Sequence, residues 1–121
     1  MKWYVAELIV ECRVGHEPAD LWDTQLVLVR ERDAEAAYAS AKRLGREQNQ
    51  TYRNSVGETV RWRFKGLGDL DGLLINALRS GVEVHSRLSR ASAPAVCPKS
   101  RLTVFWIEKN KHRTIQDLLQ D

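Results

Sequence analysis

The segment from Glu58 to Gly72 limits the fold of this chain more than any other part of the sequence. Three apolar residues alternate there with three cations: Val60, Trp62 and Phe64 with Arg61, Arg63 and Lys65. Successive side chains of a β-strand point to opposite sides of the sheet. The pattern therefore predicts a strand that packs one apolar face on a core and presents one basic face to solvent, to another strand or to a ligand.

Apolar and alternating runs predict four further strands, over 2–14, 21–32, 82–88 and 102–107. The first two are joined by the turn-rich segment 15–20, so an antiparallel hairpin is expected. The segment 48–57 is polar and rich in turn formers, which favours a loop. The run at 102–107 is nearly all apolar or β-branched, which predicts a strand covered on both faces.

Three helices are expected between and after these strands. Asp33 is a good N-cap, and alanines recur after it at helical spacing to about Leu44. Asp69 can cap a shorter helix over 70–80, and a capping box predicts a third over 114–120. The predicted fold class is α+β: a single domain with a mainly antiparallel sheet of four to five strands, two helices packed on one face and a short C-terminal helix.

The chain divides by composition into three parts. Residues 1–90 carry most of the predicted elements and should form the α+β core domain. Residues 91–100 hold small residues and two prolines, which is typical of a linker. Residues 101–121 then form a C-terminal extension with the predicted strand and short helix.

The composition describes an ordinary folded domain. The 121 residues are 43% hydrophobic and 29% charged, close to the average for globular proteins. The apolar N-terminus is interrupted by Glu7 and Glu11, so it predicts a strand rather than a signal peptide. With no apolar run near the ~20 residues that a membrane span needs, we expect a cytoplasmic protein without membrane contact.

Neither the cysteines nor the histidines form a recognisable chemical site. Cys12 and Cys97 stand in separate segments without ligands at metal-binding spacing. Both are expected to be reduced unless the fold brings them together. We therefore predict no catalytic residue, no metal and no cofactor, and expect a binding protein rather than an enzyme.

Charge is distributed unevenly along the chain. Residues 1–41 hold 4 Lys or Arg against 8 Asp or Glu, whereas residues 42–121 hold 15 against 8. The basic row of Arg61, Arg63 and Lys65 could thus be neutralised by Glu7 and Glu11 on a neighbouring strand. It could also bind a protein partner or, as a third interpretation, a nucleic acid or another anion.

Strand alternation argues against the nucleic-acid interpretation. Trp62 falls on the face opposite the basic row, whereas proteins that bind single strands interleave aromatic and cationic groups on one surface. A second candidate surface lies on the predicted fourth strand, where His85 and Arg87 accompany Glu83. This cluster could bind an anion or a partner, and it is the basis of a further alternative, a small enzyme with a Glu and His pair.

An ordered series of motifs runs through the first two thirds of the chain. It comprises W-Y-V near the start, a capped A-E-A-A-Y helix, T-Y-R-N-S-V-G-E-T-V-R-W-R-F-K-G-L-G-D-L, and S-G-V-E-V-H-S. Over about residues 1–90 this series resembles a bacterial family of small domains, the domain of unknown function family 4288. The resemblance implies a small domain of the predicted kind and carries no activity or site residue.

The leading functional hypothesis is a bacterial module for binding or interaction, of accessory or immunity type. The apolar C-terminal strand needs a cover, and contact between subunits would supply one. We therefore predict a homodimer or larger assembly through Phe105, Trp106 and Ile107. The alternatives are a nucleic-acid or anion-binding protein that uses the basic strand face, and the small enzyme described above.

Overall fold

The computed structural model describes residues 1–19, 21–73, 79–81 and 95–109. Its four strands are β1 (Lys2–Val14), β2 (Leu21–Glu31), β3 (Gln50–Arg53) and β4 (Thr59–Gly72), and they form one antiparallel sheet in the order β2-β1-β4-β3. Two helices are described, α1 (Ala34–Arg46) and α2 (Thr103–Lys109), with a 3-10 turn at Lys99–Arg101. The predicted mixed α and β character and the antiparallel sheet are confirmed.

Strand β1 lies at the centre of the sheet. It pairs with β2 in the predicted hairpin, from Lys2 opposite Glu31 to Cys12 opposite Leu21, and with β4 on its other side. Every residue from Tyr4 to Cys12 is buried. Both faces of this strand are therefore covered, and even Glu7 and Glu11, which interrupt its apolar residues, are buried.

Helix α1 covers one face of the sheet, where the main core lies. It begins at Asp33 as predicted, and the Asp33 carboxylate accepts a hydrogen bond of 2.9 Å from the Ala36 amide. The helix buries Ala34, Ala37 and Ala41 against the sheet. Because alanine has a short side chain, the helix axis can approach the strands closely.

Strand β4 continues to Gly72, so the predicted helix start at Asp69 is wrong. Two shifts of register interrupt its pairing with β1, and they leave Lys65 and Gly68 as extra residues. Each bulge adds one residue to the alternation, so core-facing side chains follow at intervals of three: Phe64, Leu67 and Leu70. An apolar spacing of three does not fit the two-residue period of a strand, so the sequence pattern favoured a turn and a helix after Lys65.

The strand predicted over 102–107 is helix α2 instead. Leu102 and Val104 are buried in the main core, and Phe105 is half-buried with its ring edge-to-face on Tyr38 at 5.9 Å. A short apolar run without alternation fits a buried helix as well as a buried strand. The prediction of a loop over 48–57 is also corrected, because β3 occupies part of it and pairs with β4.

Four side chains from residues 97–105 pack against the same core as the sheet: Cys97, Leu102, Val104 and Phe105. The Cys97 amide donates a hydrogen bond of 2.8 Å to the carbonyl oxygen of Leu67 on β4. The strand predicted over 82–88, the helix over 114–120 and residues 74–78 of the shorter helix lie outside the described residues. The division into core, linker and extension stays a prediction.

A half-buried carboxylate, that of Glu108, links α2 to the start of α1. Both oxygens of Glu108 accept from the Ala34 amide, at 3.0 and 2.9 Å, and one also accepts from the Tyr4 hydroxyl at 2.5 Å. Tyr4 is only 1% exposed. Burial, followed by the hydrogen bond to Glu108, raises the pKa of Tyr4 above its ordinary value.

This shift predicts a loss of stability in alkali. Above pH ~10 the unfolded chain releases the Tyr4 proton while the folded chain retains it, so the free energy of unfolding falls by about 1.4 kcal/mol per pH unit from this group. Below that pH the contribution is complete. Urea unfolding of wild type and Tyr4→Phe between pH 8 and 11 measures the effect: the stability advantage of wild type should shrink above pH ~10, and a constant difference would contradict it.

Candidate functional site

The structure separates the three cations of the predicted basic row. Arg61 and Arg63 lie opposite Arg13 and Glu11 of β1 in the strand register. The strands β1 and β4 are thus neighbours, which is the condition for neutralising the basic row, but the carboxylate of Glu11 forms its ion pair with Arg13, at 2.7 Å. Arg63 instead donates hydrogen bonds to β3, at 3.2 Å to the Gln50 carbonyl and 3.0 Å to the Thr51 hydroxyl.

Lys65 leaves this row because it is the extra residue of the first bulge. It lines a cavity of about 480 Å³ together with the core-facing residues Phe64 and Leu67. Four cations surround this cavity, which we call the basic groove: Lys42, Arg46, Lys65 and Lys99. The bulge thus moves one cation of the predicted row to the side of the sheet that carries α1.

Each wall of the basic groove comes from a different part of the chain. Tyr38, Lys42 and Arg46 occupy successive turns of α1 at i, i+4 and i+8, so they share one helix face. The 3-10 turn supplies Lys99, and the bulge of β4 supplies Lys65. Apolar contacts complete the floor, from Phe64, Leu67, Val96 and Cys97.

A glycine allows the wall at 95–98 to lie close to β4. Gly66 has a φ of +145°, a backbone angle that residues with a Cβ rarely adopt. A Cβ at this position would also lie 2.6 Å from the Val96 side chain. The backbone hydrogen bond from Cys97 to Leu67 holds the same segment against the strand. The groove is therefore built on a backbone contact as well as on side chains.

The basic groove carries an excess of positive charge. Among the described residues that line it, none is a carboxylate. Lys99 is partly compensated by Glu35 outside the groove, at 2.7 Å, and also lies 5.0 Å from the centre of the Tyr38 ring. Within the described part of the chain, Lys42, Arg46 and Lys65 have no ion pair, so three cations are available to an anion.

A second cavity of about 220 Å³ lies on the same face, towards β3. We call it the aromatic cleft, and it is lined by Val10, Asp23, Gln25, Gln48, Gln50, Tyr52 and Trp62. The Trp62 indole N–H donates to the Tyr52 hydroxyl at 3.2 Å, and Gln25 donates to Asp23 at 2.8 Å and to Gln48 at 3.3 Å. Asn49 lines the basic groove, and its side-chain oxygen accepts a hydrogen bond of 2.6 Å from the Phe64 amide.

Sequence reasoning missed three of the four groove cations. Lys42 and Arg46 follow Tyr38 at helical spacing, a signal that was present but that a solvated helix face also produces. Lys99 stands in the segment interpreted as a linker, so nothing in its local pattern placed it beside β4. The bulge that redirects Lys65 becomes visible only when the pairing of β4 with β1 is known.

The other predicted site residues have different outcomes. His85, Arg87 and Glu83 lie outside the described residues, as do the side chains of Trp106 and Ile107, and their roles stay predictions. The Phe105 side chain packs on the core of its own chain. Cys12 and Cys97 are not joined in a disulfide, and Cys12 is buried whereas Cys97 is half-buried.

The described ranges bring no group of three His, Cys, Asp or Glu side chains into an arrangement that could hold a metal ion. Among the described helices, none is long and apolar enough to cross a membrane.

Comparison with known proteins gave one finding. A family model described as Domain of unknown function (DUF4288) matches residues 3–86. Neither the curated proteins nor the solved structures contained a match. The matched range includes α1 and β4 with three groove cations, whereas Lys99 lies beyond it.

Proposed function

We propose, from the premise that this chain belongs to the DUF4288 family, that it is a binding module whose basic groove holds an anionic ligand. The family description assigns no activity, so the proposal rests on the groove itself. The observation that carries it is the convergence of Lys42, Arg46, Lys65 and Lys99 on one cavity, whose lining in the described ranges contains no carboxylate.

The cost of this arrangement supports a role in binding. Like charges that face one cavity repel one another, and the repulsion is relieved when an anion enters. Phosphate and carboxylate groups form short, charge-assisted hydrogen bonds with lysine and arginine. The apolar floor from Phe64 and Leu67 lowers the local polarity and strengthens those bonds relative to an open surface.

Tripolyphosphate is a suitable first probe because it carries charge without other recognisable groups. We expect wild-type protein to bind it in isothermal titration calorimetry, with an affinity that falls as sodium chloride rises. The double variant Lys42→Glu with Lys65→Glu should weaken binding by on the order of tenfold or more, because attraction becomes repulsion at two of the four cations.

The matched control changes the same net charge on the other side of the sheet. Arg53→Glu with Arg61→Glu reverses two exposed cations of β3 and β4 that lie outside the groove. This variant should keep most of the affinity. If it loses binding while the groove variant keeps it, the ligand belongs on the predicted basic strand face and the proposal is wrong.

A further inference from the structure

We infer that the ligand of the basic groove is a nucleotide, with its phosphates among the groove cations and its base in the aromatic cleft. This inference rests on the proposed function and adds the class of ligand. It follows from the position, chemistry and separation of the two cavities.

The two cavities lie side by side on one face of the sheet. Trp62 of the cleft and Phe64 of the groove are two residues apart on β4 and both face the side covered by α1, as partners of Cys12 and Val10. A strand rises about 3.3 Å per residue, so their positions differ by roughly 7 Å. A ligand that spans both must carry its anionic group and its second group about that far apart, as a nucleotide does across its sugar.

The aromatic cleft has the chemistry that a base requires. The Trp62 ring is half-buried and the Tyr52 ring is 45% exposed, so both offer surface for stacking. The Gln25 amide donates to Asp23 and Gln48, which leaves its oxygen as an acceptor and the Gln48 N–H groups as donors. Together with the amide of Gln50, these groups suit the mixed donor and acceptor edge of a base. A simple polyphosphate would use none of these groups.

The first bulge of β4 also removes the earlier objection to nucleic acid. In an unbroken strand Trp62 and the cations would occupy opposite faces, as Arg61 and Arg63 do. The extra residue places Lys65 with Phe64 at the groove, next to the Trp62 cleft. Aromatic and cationic groups then lie on one surface, the arrangement typical of proteins that bind single strands.

Thymidine triphosphate and tripolyphosphate separate this inference from the proposed function. Both present three linked phosphates, and only the first carries a base and a sugar. We expect thymidine triphosphate to bind about tenfold more tightly in calorimetry, the ratio that one stacked base supplies. If the two probes bind equally, the nucleotide inference is overturned while the anion-binding function stands.

Variants locate the base within the protein. Trp62→Leu should remove the advantage of thymidine triphosphate and leave tripolyphosphate affinity unchanged. Tyr52→Leu, at an exposed position that does not support the core, should reduce the same advantage. Trp22→Leu is the matched control, since Trp22 pairs with Glu11 on the opposite face. An advantage that survives in both cleft variants would contradict the placement of the base.

A ten-residue oligo(dT) distinguishes the two sources of a nucleotide. If the natural ligand is a single-stranded nucleic acid, neighbouring nucleotides also contact the protein, and oligo(dT) should bind more tightly than thymidine triphosphate at equal nucleotide concentration. If the natural ligand is a free nucleotide, thymidine triphosphate should bind more tightly than oligo(dT). An abasic oligomer of equal length shows whether the bases contribute. Equal binding of the abasic and thymidine strands would overturn the inference for strands.

Discussion

Gly68→Ala is expected to lower the free energy of unfolding by about 2–3 kcal/mol, although it adds a single methyl group. A Cβ at this position would lie 2.6 Å from the Glu7 carboxylate and 3.0 Å from the end of the Ile9 side chain. Both neighbours are buried, Glu7 at 4% and Ile9 at 0% exposure. Both atoms are the ends of side chains, but these side chains are packed in the interior, so rotating them away displaces their buried neighbours and the clash is relieved only at a cost.

Gly72→Ala is the matched control on the same strand. Its Cβ would meet only the Tyr4 ring, at 3.8–3.9 Å, which is ordinary van der Waals contact. We expect its stability to stay within about 0.5 kcal/mol of wild type. Urea unfolding followed by circular dichroism compares the two variants, and equal stabilities would show that β1 does not crowd the second bulge of β4.

Glu108→Ala is expected to cost about 2–4 kcal/mol of stability. It removes the acceptor of the buried Tyr4 hydroxyl and of the Ala34 amide at the start of α1. Hydrogen bonds to a charged group contribute more than neutral ones, and a buried donor left without an acceptor loses its hydration as well. Thermal unfolding should show a lower midpoint for this variant than for any single change on the surface of α1.

Glu35→Ala provides the comparison for this measurement. The Glu35 side chain is 67% exposed and pairs with Lys99 at the surface, so its removal should cost less than about 1 kcal/mol. Glu108→Gln keeps one carbonyl acceptor and should be intermediate. If Glu108→Ala is no more harmful than Glu35→Ala, the link between α2 and α1 does not stabilise the fold.

Sequence patterns were reliable where the hydrophobic period is unbroken. Strand β1 keeps its alternation from Tyr4 to Cys12, β2 follows in a short hairpin, and Asp33 marks the start of α1 with a strong cap. Each of these elements is specified by residues close together in the chain. Local patterns were therefore sufficient to predict them.

The remaining elements depend on partners that are distant in sequence. The bulges of β4 exist because Phe64, Leu67 and Leu70 must all meet the core, and no pattern within β4 reveals this. Helix α2 is selected by its contacts with Tyr38 and Ala34, more than 60 residues earlier. The basic groove assembles from α1, the first bulge of β4 and residues 96–99, so its cations were present in the sequence but their meeting could not be predicted.

Because Lys65 is the extra residue of a bulge, the fold should tolerate its substitution but not its deletion. Its side chain can be replaced at the expense of one charge, because the backbone of the bulge does not depend on it. A residue must nevertheless be present at position 65, because a strand one residue shorter would turn Leu67 and Leu70 away from the core. Substitutions at this position can therefore alter what the groove prefers to bind, whereas a deletion removes the fold that carries it.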